Sequence, residues 1–251
     1  MLGKILLIGE HCDDIYHYGE CNRLNPEAPV PILEEKYITQ TDGMASNVKN
    51  NLLALGFSVK HYKNKETIEK HRLVDLNYRQ QLIRYDIEEN INKLQGKYIT
   101  NEDFDIVVIS DYDKGLITKD IAEYICKKYK NKPIFVDSKK KDLSCFYNCY
   151  LKINNNEYYN LKSYNKNNCE LIVTQGKLGA TYKLKNYPAD KVEVYDVCGA
   201  GDVFLAGLVY GFSKRNSIIH GIKTANKLAS ISVSKFGTYV LTKDDISKLK
   251  N

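Results

Sequence analysis

Residues 196–212 read DVCGAGDVFLAGLVYGF: an acid, a run of small residues, a second acid, then an almost unbroken apolar stretch. A helix starting here would be apolar on every side, which places it in a core. Its N-terminus would emerge at Gly199-Ala200-Gly201. Unpaired N–H groups carry partial positive charge there, and the lack of side-chain bulk lets an anion approach the backbone. Asp202 falls in the first turn, where a carboxylate can take the proton of an attacking hydroxyl. On these residues alone, a glycine turn capped by Asp and a phosphate cradle with an adjacent base both stand.

The surrounding sequence supplies the fold. KILLIG (4–9), DIVVIS (105–110), PIFVD (133–137) and ELIVT (170–174) are short, nearly continuous apolar runs, as in strands covered on both faces. Helix-like segments at 44–55, 119–129 and 155–161 separate them. This alternation predicts an α/β fold with a doubly wound, mostly parallel sheet. Segments 14–40 and 68–87 are different. RLVDLNYRQQLIRYDIE (72–88) alternates at period two, and together the segments predict a small β-sheet lid within a single domain spanning 1–251. NPEAPVP (25–31), with three prolines, is expected to run extended at an edge. From Gly201 onward the chain is expected to be mostly helical, with a break near 235–240.

Composition narrows the function. With 43% hydrophobic and 27% charged residues, the 251-residue chain has the make-up of a folded globular protein. The net charge of +6 suits anionic small molecules such as nucleotides or sugar phosphates. No nucleic-acid partner is expected. No apolar stretch is long enough to cross a bilayer, and MLGKILLIGE is too briefly apolar for a signal segment. Seven cysteines without a Cys-x-x-Cys pair argue against a disulfide scaffold and for a cytoplasmic protein. His11, Cys12, His17 and Cys21 match no common zinc spacing.

DVCGAGDVFLAG resembles the signature of the PfkB (ribokinase-like) sugar kinases, usually Asp-Thr-x-Gly-Ala-Gly-Asp. GMASNVKNNLLALG (43–56), NNNE (154–157), VTQGKLG (173–179) and TAN (224–226) fall in the order that family requires. NRLNPEAPVPIL (22–33), RQQLIRYDIE (79–88) and ISDYDKGLIT (109–118) are similar to the branch that phosphorylates D-glycero-D-manno-heptose 7-phosphate. The resemblance covers nearly the whole chain. It stops short of the nucleotidyltransferase half of the bifunctional enzymes, so a kinase alone is expected.

The resemblance implies an ATP- and Mg²⁺-dependent kinase acting on a phosphosugar. Asp202 would be its base, and Gly199, Ala200 and Gly201 its anion hole. Asn154 and Glu157 match the Asn-x-x-Glu that organises Mg²⁺, often through water, although NNNE also reads as a helix start capped by Asn154. Thr174, Gly176 and Gly179 match the nucleotide loop, and Asn226 a residue beside the adenine. Asp14, Gly43 and Asn47 match the acceptor side, where a carboxylate and an amide suit vicinal hydroxyls. Arg72, Arg79, Arg84, Lys114 and Lys139 are candidates for the acceptor's existing phosphate. The exposed Tyr and Ile of the lid suggest a homodimer formed through it.

Three departures bear on the acceptor. Cys198 replaces the signature's Thr, and Met44 replaces the second glycine of the acceptor segment. A strand and helix that normally follow residue 62 are absent, so a narrower sheet and an altered acceptor pocket are expected.

Overall fold

The computed structural model describes residues 2–250. The parallel part of its main sheet comprises β1 (Lys4–Gly9), β4 (Ser58–Tyr62), β7 (Ile106–Asp111), β8 (Ile134–Ser138), β10 (Cys149–Asn154) and β12 (Cys169–Thr174). Two short strands, β13 (Ala180–Tyr182) and β14 (Lys185–Tyr187), close one edge antiparallel. The order across the sheet is β14-β13-β12-β10-β8-β7-β1-β4. A two-stranded pair, β9 (Asp142–Leu143) and β11 (Ser163–Tyr164), lies apart.

Alternation along the buried strands divides the core in two. Ile5, Leu7, Val108, Phe135 and Ile172 pack against α1 (Ala45–Ala54), α4 (Ala200–Arg215) and α5 (Ile218–Val233). Leu6, Ile8, Val107, Ile109 and Ile134 face the opposite side and α2 (Lys119–Lys128). The apolar run after Asp202 is the buried helix its composition predicts, with every residue from Asp202 to Val209 buried. The predicted helix at 155–161 is shorter, α3 (Asn155–Tyr159), and α6 (Lys243–Ser247) follows the break.

The lid is a mixed sheet built from β2 (His11–Glu20), β3 (Glu34–Met44), β5 (Ile68–Asp75) and β6 (Gln80–Glu88), in the order β3-β2-β5-β6. β2 and β5 are parallel, while the outer pairs are antiparallel. The chain therefore leaves the main sheet after β1, returns for α1 and β4, leaves again for β5 and β6, and returns at β7. Lid strands extend past the expected bounds, because β2 begins directly after Glu10 and β3 runs into α1. On the side of β4 the main sheet ends, and residues 63–67 lead straight to the lid.

One expectation fails. Residues 25–31 are curled, not extended. The Asn25 N–H donates to the Val30 carbonyl at 2.8 Å, and Leu24 bridges Pro31, closing the loop between β2 and β3. The prolines fix local φ values, which serves a tight loop as well as an edge strand.

Candidate active site

The site lies at the carboxyl ends of the parallel strands, where the N-terminus of α4 meets them. Gly199 caps α4 at φ 71°, and a Cβ there would stand 2.7 Å from the Asn47 Nδ2. Only glycine satisfies both constraints. The Ala200 N–H donates to the Val197 carbonyl at 3.3 Å. Among the described residues the Gly199 and Gly201 N–H groups meet no acceptor. The cradle therefore narrows from three amides to two. A third donor joins them, because the Lys152 Nζ lies 3.1 Å from where a Gly201 Cβ would be.

Asp202 is buried at the bottom of this cradle. Its Oδ1 accepts from the Tyr112 hydroxyl at 2.7 Å and its Oδ2 from the Asn47 amide at 3.1 Å. Burial pushes its pKa up to about 6, against the pull of those two hydrogen bonds. That value suits a base acting near neutral pH.

A cavity of about 750 Å³ opens beside Asp202 and the two glycines. Asn154, Thr174 and Gly176 border it, and nothing stands within 4 Å of where a Gly176 Cβ would be. Asn154 and Glu157 form a capping box: the Asn154 Oδ1 accepts from the Glu157 N–H at 2.9 Å, and Glu157 accepts from the Asn154 N–H at 2.8 Å. Glu157 also binds the Lys139 Nζ at 2.6 Å. With its oxygens so engaged, the pair fits a hydrated cation held through water better than direct ligation.

Three nucleotide-side candidates lie off the cavity lining, Glu157 in its capping box and two others beside β14. Gly179, at φ 90°, turns the chain where a Cβ would strike the Tyr187 carbonyl at 2.1 Å. The buried Asn226 amide donates to the Tyr187 and Pro188 carbonyls at 2.7 and 3.2 Å. Both hold the chain around β14.

On the acceptor side, β2 and β3 meet α1, and β5 brings Arg72 to Cys198, just before α4. Asp14 is buried, with Oδ1 paired to Arg72 at 2.6 Å and Oδ2 accepting from the Thr238 hydroxyl at 2.9 Å. Gly43 is required beside it, since a Cβ would stand 2.4 Å from the Asp14 Oδ2. Cys198 lies 3.7 Å from both Arg72 and Thr238. Met44 sits at φ 54°, ψ −136°, a conformation that costs a non-glycine residue about 1–3 kcal/mol. Its side chain packs with Cys12 and Ile68.

Three phosphate candidates are placed elsewhere. Arg84 is ion-paired with Asp86 at 2.9 Å, Lys114 holds Glu88 at 2.6 Å, and Arg79 sits at the exposed β5–β6 turn. All three are surface charges, the first two with local partners. Lys139 does reach the cavity. Sequence reading missed Tyr112, Asp137 and Lys152, which line it too. Asp137 and Lys152 pair at 2.6 Å, both nearly fully buried, at the carboxyl ends of β8 and β10. A polar residue ending an apolar strand on the ligand edge was the available signal.

Residues 151–245 match the sequence model of the pfkB family carbohydrate kinases. The Bifunctional protein HldE of a Nitratiruptor species is 30% identical over 304 positions, taking in 99% of this chain and 65% of that protein. The chain thus spans just under two thirds of the relative's length. The alignment is longer than the chain, so the relative carries stretches this chain lacks. Phosphofructokinase-2 from Escherichia coli in complex with potassium gives a TM-score of 0.74 at 15% identity, covering 99% of this chain and 98% of that one. Arabidopsis thaliana ribokinase complexed with ribose and ATP gives 0.68 at 16% identity, covering 100% of each.

The fold is thus that of the ribokinase-like kinases. The signature at 196–202 lies within the segment that matches the pfkB family carbohydrate kinases.

Proposed function

We propose that the protein transfers the γ-phosphoryl group of ATP to a hydroxyl of a phosphosugar, with a heptose 7-phosphate as the acceptor its relatives favour. One observation carries the reading: Asp202 stands beside two unpartnered glycine amides and Lys152 at the mouth of a cavity large enough for a nucleotide. The nucleotide phosphates lie against Gly199, Gly201 and Lys152, while Asn154 and Glu157 hold Mg²⁺ through water. Thr174 and Gly176 line the nucleotide's path, and Gly179 and Asn226 shape its wall from behind. Asp14, Gly43 and Asn47 face the acceptor, and Arg72 and Lys139 replace Arg84 and Lys114 as cations for its phosphate. Asp202 takes the acceptor's proton as the new P–O bond forms.

A coupled ADP assay over heptose, hexose and pentose phosphates tests this. Mg²⁺-dependent ADP release is expected with one acceptor class and almost none for Asp202→Asn. Normal turnover in that variant would overturn the assignment of the base.

A second reading is a nucleotide- or sugar-binding protein without turnover. It is favoured by Asp14, whose carboxylate is already engaged by Arg72 and Thr238. Calorimetric binding with no ADP release across the acceptor panel would select it.

We also propose a homodimer through the lid, supported by Ile38, Ile83, Tyr85 and Ile87, each about half exposed there. Light scattering behind a sizing column tests it, and a monomer at high concentration would refute it. Among the described residues no helix is long and apolar enough to cross a membrane. The seven cysteines are all unpaired, which suits a reducing cytoplasm.

A further inference from the structure

Tyr112 belongs to no part of the signature, yet it touches the centre of the site. It sits in the loop after β7, where Asp113 at φ 57° and Gly115 at φ 110° curl the chain back sharply. Two buried carboxylates hold that loop, and Asp111 accepts from the Asp113 N–H at 3.0 Å. Glu10, at the end of β1, accepts from the backbone N–H groups of Tyr112, Lys114 and Leu116 at 2.8, 3.2 and 3.3 Å. The Tyr112 ring is thereby fixed between the Lys70 ammonium of the lid at 5.5 Å and the Lys139 ammonium bordering the cavity at 5.6 Å. Its hydroxyl ends 2.7 Å from the Asp202 Oδ1.

We infer that Tyr112 is a positioning residue for the base: gripped by Glu10, its hydroxyl fixes the Asp202 carboxylate in place and holds it in its ionised form. Asn47 secures the other oxygen, so the carboxylate cannot rotate, while each oxygen keeps a lone pair for the acceptor's proton. Tyr112 is the sole neutral O–H donor to Asp202 among the described residues. The other groups facing Asp202 are Asp137 from β8, Lys139 after it, Lys152 from β10 and Cys12 from β2. Asp137 opposes ionisation and Lys152 favours it, and these two are already paired with each other. Burial acts against the charged carboxylate, and the tyrosine donor acts directly against that penalty. Burial and the Asp202 charge hold the phenol itself protonated, its pKa well above the ordinary value, so it remains a donor across the working pH range.

The inference rests on Asp202 being the base, and its test does not require turnover. The full chain, carrying ¹³C-labelled aspartate, is titrated by NMR, with the Asp202 signal assigned through Asp202→Asn. The midpoint is expected near 6 in the native protein and roughly one pH unit higher in Tyr112→Phe. Replacing Tyr112 by 3-fluorotyrosine, a stronger donor, should move it the other way and covers the case in which the Phe variant folds poorly. Unmoved midpoints in both variants would overturn the inference. Turnover by Asp202→Asn would instead remove the base assignment and leave the titration result standing.

Discussion

The two sides of Asp202 are built differently. On the proposed nucleotide side, the chain offers backbone: two glycine amides, the open face of Gly176 and the start of α4, joined by one buried ion pair. On the proposed acceptor side it offers side chains already bonded to one another, Asp14 to Arg72 and Thr238, and Asn47 to Asp202. Phosphate recognition by backbone needs little more than small residues at a helix start, and it works for any nucleotide phosphate. Acceptor recognition needs a particular set of packed side chains, and a new acceptor requires a new set.

Substitutions on each side separate the two. The largest effect is expected from Asp202→Asn, which should lower turnover by ~10²–10⁴-fold with nucleotide affinity unchanged, as read from steady-state rates and calorimetry. Asp137→Ala comes next. It leaves the Lys152 ammonium buried without its carboxylate, and urea unfolding should show a loss of about 3–5 kcal/mol. Arg72→Met acts on the acceptor side alone, raising the acceptor KM roughly 10–100-fold while the KM for ATP holds. Equal changes in both constants would erase the distinction between the two sides.

Two smaller effects sharpen it. The pKa of Asp202 in the folded chain lies above that of a free carboxylate, so between pH of about 4 and 6 the folded state keeps a proton the unfolded state has lost. Stability should therefore fall as pH rises through that window. Above it, Asp202→Asn should be more stable than the native protein by about 1–3 kcal/mol while remaining inactive, as measured by thermal unfolding at pH 8. Met44→Gly removes backbone strain of about 1–3 kcal/mol, and it also removes a buried side chain of comparable or somewhat larger worth. The net change should stay within about 2 kcal/mol, and the acceptor range should widen.

The same contrast explains what the sequence made legible. Buried parallel strands read as unbroken apolar runs, and DVCGAGD with its apolar sequel reads as a helix start in a core. Both signals are local. Asn154 was legible twice over, with Glu157 in a family motif and by itself as a helix cap, and the structure shows Glu157 completing that cap as a box. Arg84 and Lys114 misled because a cation near the right segment says nothing of which carboxylate lies beside it. Arg72 and Arg84 are cross-strand neighbours on the lid, yet only Arg72 meets Asp14. Tyr112 and Lys152 were hidden for a related reason: their partners lie 90 and 15 residues away in the chain, and only the folded sheet brings them together.

The route of the chain between its two sheets has a consequence for folding. β1 and β4 are neighbours in the main sheet, but the whole β2–β3 hairpin lies between them in sequence. β1 and β7, also neighbours, are parted in sequence by the whole lid together with α1 and β4. The lid's own parallel pair, β2 with β5, joins strands separated in sequence by β3, α1 and β4. Pairings of such long sequence separation form slowly. Refolding is therefore expected to regain helix signal well before lid contacts, with catalytic competence arriving last of all.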